Sequence, residues 1–147
     1  VPEKRKELTT EGGLNLDKKN FKIKKIIYYL KKKGIRTSLF IEPRIQDIRN
    51  AKKLDADCVE LHTGKFCNLY NLNKKFINEF VKIKKVAKYA NTIGLEVHAG
   101  HGLTYQTAKM IKKIKNIKEL NIGHFIISQA IFVGLKQAIL NFKSILK

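Results

Sequence analysis

The sequence predicts an α/β fold built on a parallel sheet, and three observations carry that prediction. Segments with the apolar spacing of strands alternate with segments of helical period, the pattern of right-handed βαβ units. The glycines sort by position: Gly34 and Gly94 lie at helix-to-strand turns, whereas Gly64, Gly100, Gly102 and Gly123 fall just past strand ends. All four histidines, His62, His98, His101 and His124, sit at or beside those same carboxyl ends, the face that carries chemistry in barrels and doubly wound sheets alike. Periodicity alone leaves the choice between those two architectures open.

A polar loop from Pro2 to Leu14 comes first and contains Thr9-Thr10-Glu11-Gly12-Gly13. Asp17 to Lys33 reads as a helix, because Ile23, Ile26, Ile27 and Leu30 recur at helical spacing and Gly34 supplies a C-cap. Ile35 to Ile41 is apolar and β-branched, and it stops at Glu42-Pro43 because proline has no N–H for a ladder. A short helix over Ile45 to Leu54 leads to the strand Cys58 to Gly64 and an irregular stretch to Asn73. The next helix places Phe76, Phe80, Ile83, Ala87 and Ala90 on one face, and Gly94 closes it. Leu95 to Ala99 is the central strand, Thr104 to Ile117 a helix, and Leu120 to Ile122 a last short strand ending at Gly123-His124. One amphipathic helix then runs from Ile127 through Ile145, with Ala130, Ile131, Gly134, Leu135, Ala138 and Phe142 expected to face inward. No internal domain boundary divides residues 1–147. Val1-Pro2 reads as the last step of a strand, so the chain is expected to be a C-terminal fragment.

With 31 lysines and arginines against 12 acidic residues, the formal net charge is +19, which invites a nucleic-acid reading. The distribution opposes it. Lysines recur over residues 18–33, 74–88 and 109–118, on the polar sides of helices rather than in one block with interleaved aromatics. They make a solvated outer face with a general attraction for anionic metabolites, and no nucleic-acid partner is expected. Cys58 and Cys67 lack metal-ligand spacing and fit a reducing cytoplasm. No apolar run approaches the roughly 18 residues that span a bilayer, and no signal-peptide pattern is present, so no membrane role is expected.

The chemistry concentrates in Val97-His98-Ala99-Gly100-His101-Gly102-Leu103-Thr104. His101 is a titratable imidazole between two residues without a Cβ, so backbone and ligand can approach closely. Thr104 is placed to cap the following helix, whose first N–H groups attract anions. Glu60 and His62 share one side of their strand. Facing a barrel interior, Glu60 is a candidate acid–base or iminium-stabilising carboxylate tuned by burial; a structural pairing with a neighbouring histidine or lysine is the equal alternative. A glycine at the last strand end, Gly123, precedes a helix and suits phosphate.

Four motifs in order carry a resemblance: Val1-Pro2-Glu3-Lys4-Arg5 with Thr9-Thr10-Glu11-Gly12-Gly13, then Glu60-Leu61-His62-Thr63-Gly64, Ala99-Gly100-His101-Gly102-Leu103-Thr104-Tyr105, and Glu119-Leu120-Asn121-Ile122-Gly123-His124. They resemble the pyridoxine 5'-phosphate synthase family. The resemblance implies a (β/α)8 TIM barrel, of which this chain is roughly the second half, from the end of strand four to the last helix. It implies condensation of 3-amino-2-oxopropyl phosphate with 1-deoxy-D-xylulose 5-phosphate to give pyridoxine 5'-phosphate, phosphate and water, with no metal and no organic cofactor. In it His101 matches the proton donor, Gly102, Gly123 and His124 contact the amino-ketone phosphate, and Thr9 contacts deoxyxylulose phosphate. His98 departs from the family, whose better-known members carry a small polar residue such as asparagine there. The remaining catalytic histidine and glutamate and the first substrate loop are expected before Val1, so the fragment alone is expected to be inactive and a homo-oligomer is expected of the cytoplasmic protein. The competing reading is a phosphosugar isomerase or aldolase on the same barrel, which would need a Schiff-base lysine in a strand or a metal cluster; no lysine is expected inside a strand.

Overall fold

The computed structural model describes Val1, residues 12–16 and residues 20–146. In chain order these form α1 (Phe21–Lys32), β1 (Ser38–Ile41), α2 (Ile45–Lys53), β2 (Cys58–His62), α3 (Gly64–Asn71), α4 (Ile77–Thr92), β3 (Glu96–Gly100), α5 (Tyr105–Ile111), β4 (Ile117–Asn121), α6 (His124–Val133) and α7 (Leu135–Leu146). The four strands form one parallel sheet in the order β1-β2-β3-β4. A doubly wound sheet reverses its strand order at a switch point. Among the described residues this one does not, and its monotonic order is compatible with a partial barrel-like fold.

Strand alternation divides the sheet into two unlike faces. Leu39, Val59 and Val97 lie in one row and Ile41, Leu61, Ala99 and Leu120 in the next. These apolar rows pack with Ile48 and Ala51 of α2, Ile83, Val86, Ala87 and Ala90 of α4, and Ile111 of α5 in a single core. Burying each large aliphatic side chain there stabilises the fold by about 1.5–3 kcal/mol, which is why the helices settle on this face. The opposite face is polar: Ser38, Cys58 and Glu96 form one row, Phe40, Glu60, His98 and Glu119 a second, and His62, Gly100 and Asn121 a third nearest the strand ends.

Gly34 and Gly94 take φ of +71° and +73° after α1 and α4, the left-handed conformation that lets a helix hand over to a strand. Every lysine among the described residues is exposed except half-buried Lys31, which pairs with Asp55 at 2.8 Å. No helix among the described residues is long and apolar enough to cross a membrane.

Several elements differ from the sequence expectation. Gly64–Asn71 is helical rather than irregular; Phe66 and Cys67 turn into the core, and Phe66 stacks with Tyr70 one turn on. α5 ends at Ile111, and β4 begins at Ile117, where the helix was expected to end. The register slips between Val97 and His98, leaving Lys118 as an extra residue inside the strand, so a lysine does lie in a strand. That bulge sends Glu119 and Asn121 onto the polar face. The last helix is two helices, broken at Gly134 with φ +79° and ψ 149°. Of the six residues expected to face inward, Ala138 and Phe142 are buried, while Ile131 is 79% exposed.

Candidate functional site

The loop after β3 is held in a conformation most residues avoid. His101 has φ +77° and Gly102 the same, a left-handed turn that costs a non-glycine residue about 1–2 kcal/mol. Thr63, fully buried at the end of β2, offsets that cost. Its N–H donates to the Gly100 carbonyl at 2.9 Å, and its Oγ1 lies 2.7 Å from the carbonyl oxygens of both Gly100 and His101. Thr104 then caps α5 as expected, in a reciprocal capping box with Thr107. The capping box occupies donors at the start of α5, whereas Gly123 caps α6 with no side-chain bond. The α6 N-terminus, like that of α3 after Thr63, thus has no side-chain cap and can receive an anion.

His101 stands between two clefts. On one side a cleft of about 280 Å³ is lined by His101, Gly102, Asn121, Gly123, His124 and Ser128. The sequence candidates Gly102, Gly123 and His124 thus come together with His101 on one opening. A Cβ built on Gly123 meets nothing within 4 Å, so this glycine leaves open space at the α6 N-terminus. On the other side a cleft of about 530 Å³ is lined by His62, Gly64, Lys65, Asn68, Lys74 and His101.

Glu60 lies over Gly100. A Cβ at Gly100 would collide with Glu60 Oε1, so the glycine clears the carboxyl's path toward the strand ends. Asn121 Nδ2 donates to Glu60 Oε2 at 2.7 Å. Burial pushes the Glu60 carboxyl above the usual carboxylate range, against the Asn121 hydrogen bond and the nearby His98. His98 is buried one strand over; its Nε2 meets Glu96 Oε1 at 2.8 Å and its Nδ1 lies 3.7 Å from Glu119. The bond to His98, with a second from Arg36, holds the Glu96 carboxyl below its ordinary value.

Four contributors, Glu42, His62, Thr63 and Asn121, were not proposed as site residues from sequence. His62 is 9% exposed; its Nδ1 meets Glu42 Oε1 at 2.9 Å, and its ring centre lies 4.7 Å from that of His101. Glu42 Oε1 also accepts the Gly13 N–H at 3.2 Å, tying the glycine-rich loop to the strand ends. Thr63 and Asn121 complete the set. The available signal was position: Glu42, His62, Thr63 and Asn121 all sit at carboxyl ends of strands within the quoted motifs or beside a strand-ending proline. Thr9 and Thr10 lie outside the described residues, as do residues 17–19 at the expected start of the first helix. Among the described residues no three His, Cys, Asp or Glu side chains gather as a metal set, and both cysteines are free and buried.

Comparison with known proteins agrees on one family. The model of the pyridoxal phosphate biosynthesis protein PdxJ matches residues 1–147. The pyridoxine 5'-phosphate synthase of Pelagibacter ubique is 59% identical over 145 residues, covering 99% of this chain and 61% of that protein. The enzyme of the same name from Sulfurihydrogenibium sp. is 49% identical over 99% of this chain and 59% of its own length, and that of Campylobacter lari is 43% identical over 100% and 66%. The chain thus spans about three fifths of the length of the first two of these relatives.

Proposed function

The chain belongs to the PdxJ family of pyridoxal phosphate biosynthesis proteins, and from that premise we propose that it supplies the carboxyl-terminal half of a (β/α)8 barrel acting as a pyridoxine 5'-phosphate synthase. The protein joins 3-amino-2-oxopropyl phosphate to 1-deoxy-D-xylulose 5-phosphate, as a homo-oligomer in the cytoplasm, and releases phosphate and water. The single observation that carries the reading is His101 on the wall between two clefts, one for each phosphorylated partner.

The amino-ketone phosphate sits on the α6 N-terminus, where the N–H groups after Gly123 and the macrodipole favour an anion, flanked by Gly102 and His124. Thr9 and the loop that Glu42 anchors hold deoxyxylulose phosphate. The amine condenses with the ketone to a Schiff base; His101 gives a proton to a departing oxygen, and Glu60, whose proton affinity burial raises, exchanges protons or steadies the iminium. An isomerase or aldolase reading requires a lysine reaching the substrate carbonyl. Lys118, the lysine of β4, is exposed at the bulge near the amino end of its strand, and the cleft lysines Lys65 and Lys74 lie outside the strands, on α3 and after it. The test is product formation from the two phosphates by the protein at the full length of its relatives. Absence of pyridoxine 5'-phosphate, with either substrate turned over alone, would replace this reading by the isomerase or aldolase one.

A further inference from the structure

We propose that His62 is a positioning residue for His101, carrying the influence of Glu42 across to it by accepting a His101 ring N–H on its own Nε2. The inference rests on the proton-donor role of His101 proposed above. Glu42 Oε1 accepts the Gly13 N–H, so the same oxygen takes His62 Nδ1 as a second donor at 2.9 Å. That assigns the proton of the neutral ring to Nδ1 and leaves the lone pair on Nε2.

Nε2 is buried and has no hydrogen-bond partner among the described residues, whereas buried polar atoms are ordinarily paired. The ring beside it is His101, 4.7 Å away centre to centre and inclined by 58°. On another side Phe40 packs edge-on at 5.2 Å and offers no donor. A Cβ on Gly64 would lie 2.8 Å from both His62 Nε2 and His101 Cδ2; the glycine is what lets the two rings share this space. The pairing requires the His101 ring to turn an N–H toward Nε2.

Among the described residues the other charged groups around the pair are Glu60, two residues earlier on the same face of β2, Lys65 and Lys74 along one cleft, and His124 across the other. Of the described groups, Glu42 is the one in ion-pair contact with His62. A Glu42–His62 pair accepting from His101 favours the protonated His101 ring. It also aims the second ring N–H at the ligand. In the donation step that N–H bond breaks, its electron pair stays on the ring, and the proton forms the O–H bond of the leaving oxygen. Solvent returns the proton.

The experiment uses the protein at the full length of its relatives and follows His101 by ring-resonance NMR titration together with the pH profile of kcat. In His62→Phe and Glu42→Gln the His101 midpoint is expected to fall by about one pH unit, the scale on which a neighbouring charge moves an ionisable group. The basic limb of kcat moves down in step, because activity then loses its protonated donor at lower pH. His62→Gln, whose amide oxygen reaches the Nε2 position, restores both. Should His62→Phe fail to fold, Gly64→Ala keeps both rings and wedges them apart, with the same expected fall. An unmoved His101 midpoint in folded variants overturns the inference. So does a rise in KM without that shift, which would make His62 a substrate contact instead. A shifted midpoint in a protein that makes no pyridoxine 5'-phosphate upholds the pairing and sinks the reaction.

Discussion

Substituting Gly123 by alanine separates a turn residue from a phosphate-binding one, because the structure sets the folding cost close to zero. Its φ is −114°, which alanine adopts without strain, and a Cβ there meets nothing within 4 Å. The remaining penalty is the weaker N-cap preference of alanine, at most about 1 kcal/mol. On the ligand side the same Cβ enters the space over the first N–H groups of α6. Losing one hydrogen bond to a charged phosphate costs about 1.5–3 kcal/mol, or roughly ten- to a hundredfold in affinity. Gly102→Ala is the contrasting control. Its φ of +77° and a Cβ only 3.2 Å from that of Cys67 put about 1–2 kcal/mol of strain into the fold itself. Urea unfolding and calorimetric titration with 3-amino-2-oxopropyl phosphate read the two quantities separately. Wild-type affinity in Gly123→Ala refutes the assignment of phosphate to the α6 N-terminus.

His101→Asn should nearly abolish turnover while leaving substrate binding largely intact; near-wild-type kcat would remove His101 from the mechanism. Glu60 binds its proton more tightly in the folded than in the unfolded chain, so stability should fall as pH rises from the ordinary glutamate value through the raised one. Glu60→Gln should flatten that slope in unfolding curves taken across the acid range, and an unchanged slope assigns it to other groups. Residues 1–147 expressed alone should form no product and should associate. β1 and β4 end the sheet among the described residues, and Ile131 and Phe132 are 79% and 80% exposed. A monomeric, active preparation of this chain defeats the half-barrel reading.

Which parts of the molecule were legible from sequence follows from how local their causes are. The helix-covered face of the sheet announced itself through Val59, Leu61, Val97 and Ala99, because alternation and burial are written residue by residue. The cap at Thr104 and the glycines at 34 and 94 were legible for the same reason. The break at Gly134 was not: nothing lies within 4 Å of its Cβ position, and the residues on either side continue an apolar helical period, so only the backbone angle marks the end of α6. Lys118 shows the same limit. A bulge is a property of two strands, and β4 read alone showed only Leu120 to Ile122.

The site divides along that line too. His101 was found because its neighbours in sequence are its neighbours in space. Glu42, His62 and Gly64 became a unit only when β1 and β2 paired, since the carboxylate and the ring it orients lie twenty residues apart. Their geometry also gives Gly64 a reason that turn chemistry does not. It has no positive φ to require glycine, yet two imidazoles close over it. Gly100 is its counterpart one strand on, empty so that Glu60 can pass. The two missing side chains open the polar face in two places, one for a histidine pair and one for a carboxyl. Restoring a methyl group at either should therefore disturb proton transfer before it disturbs the apolar core, which lies on the opposite side of the sheet.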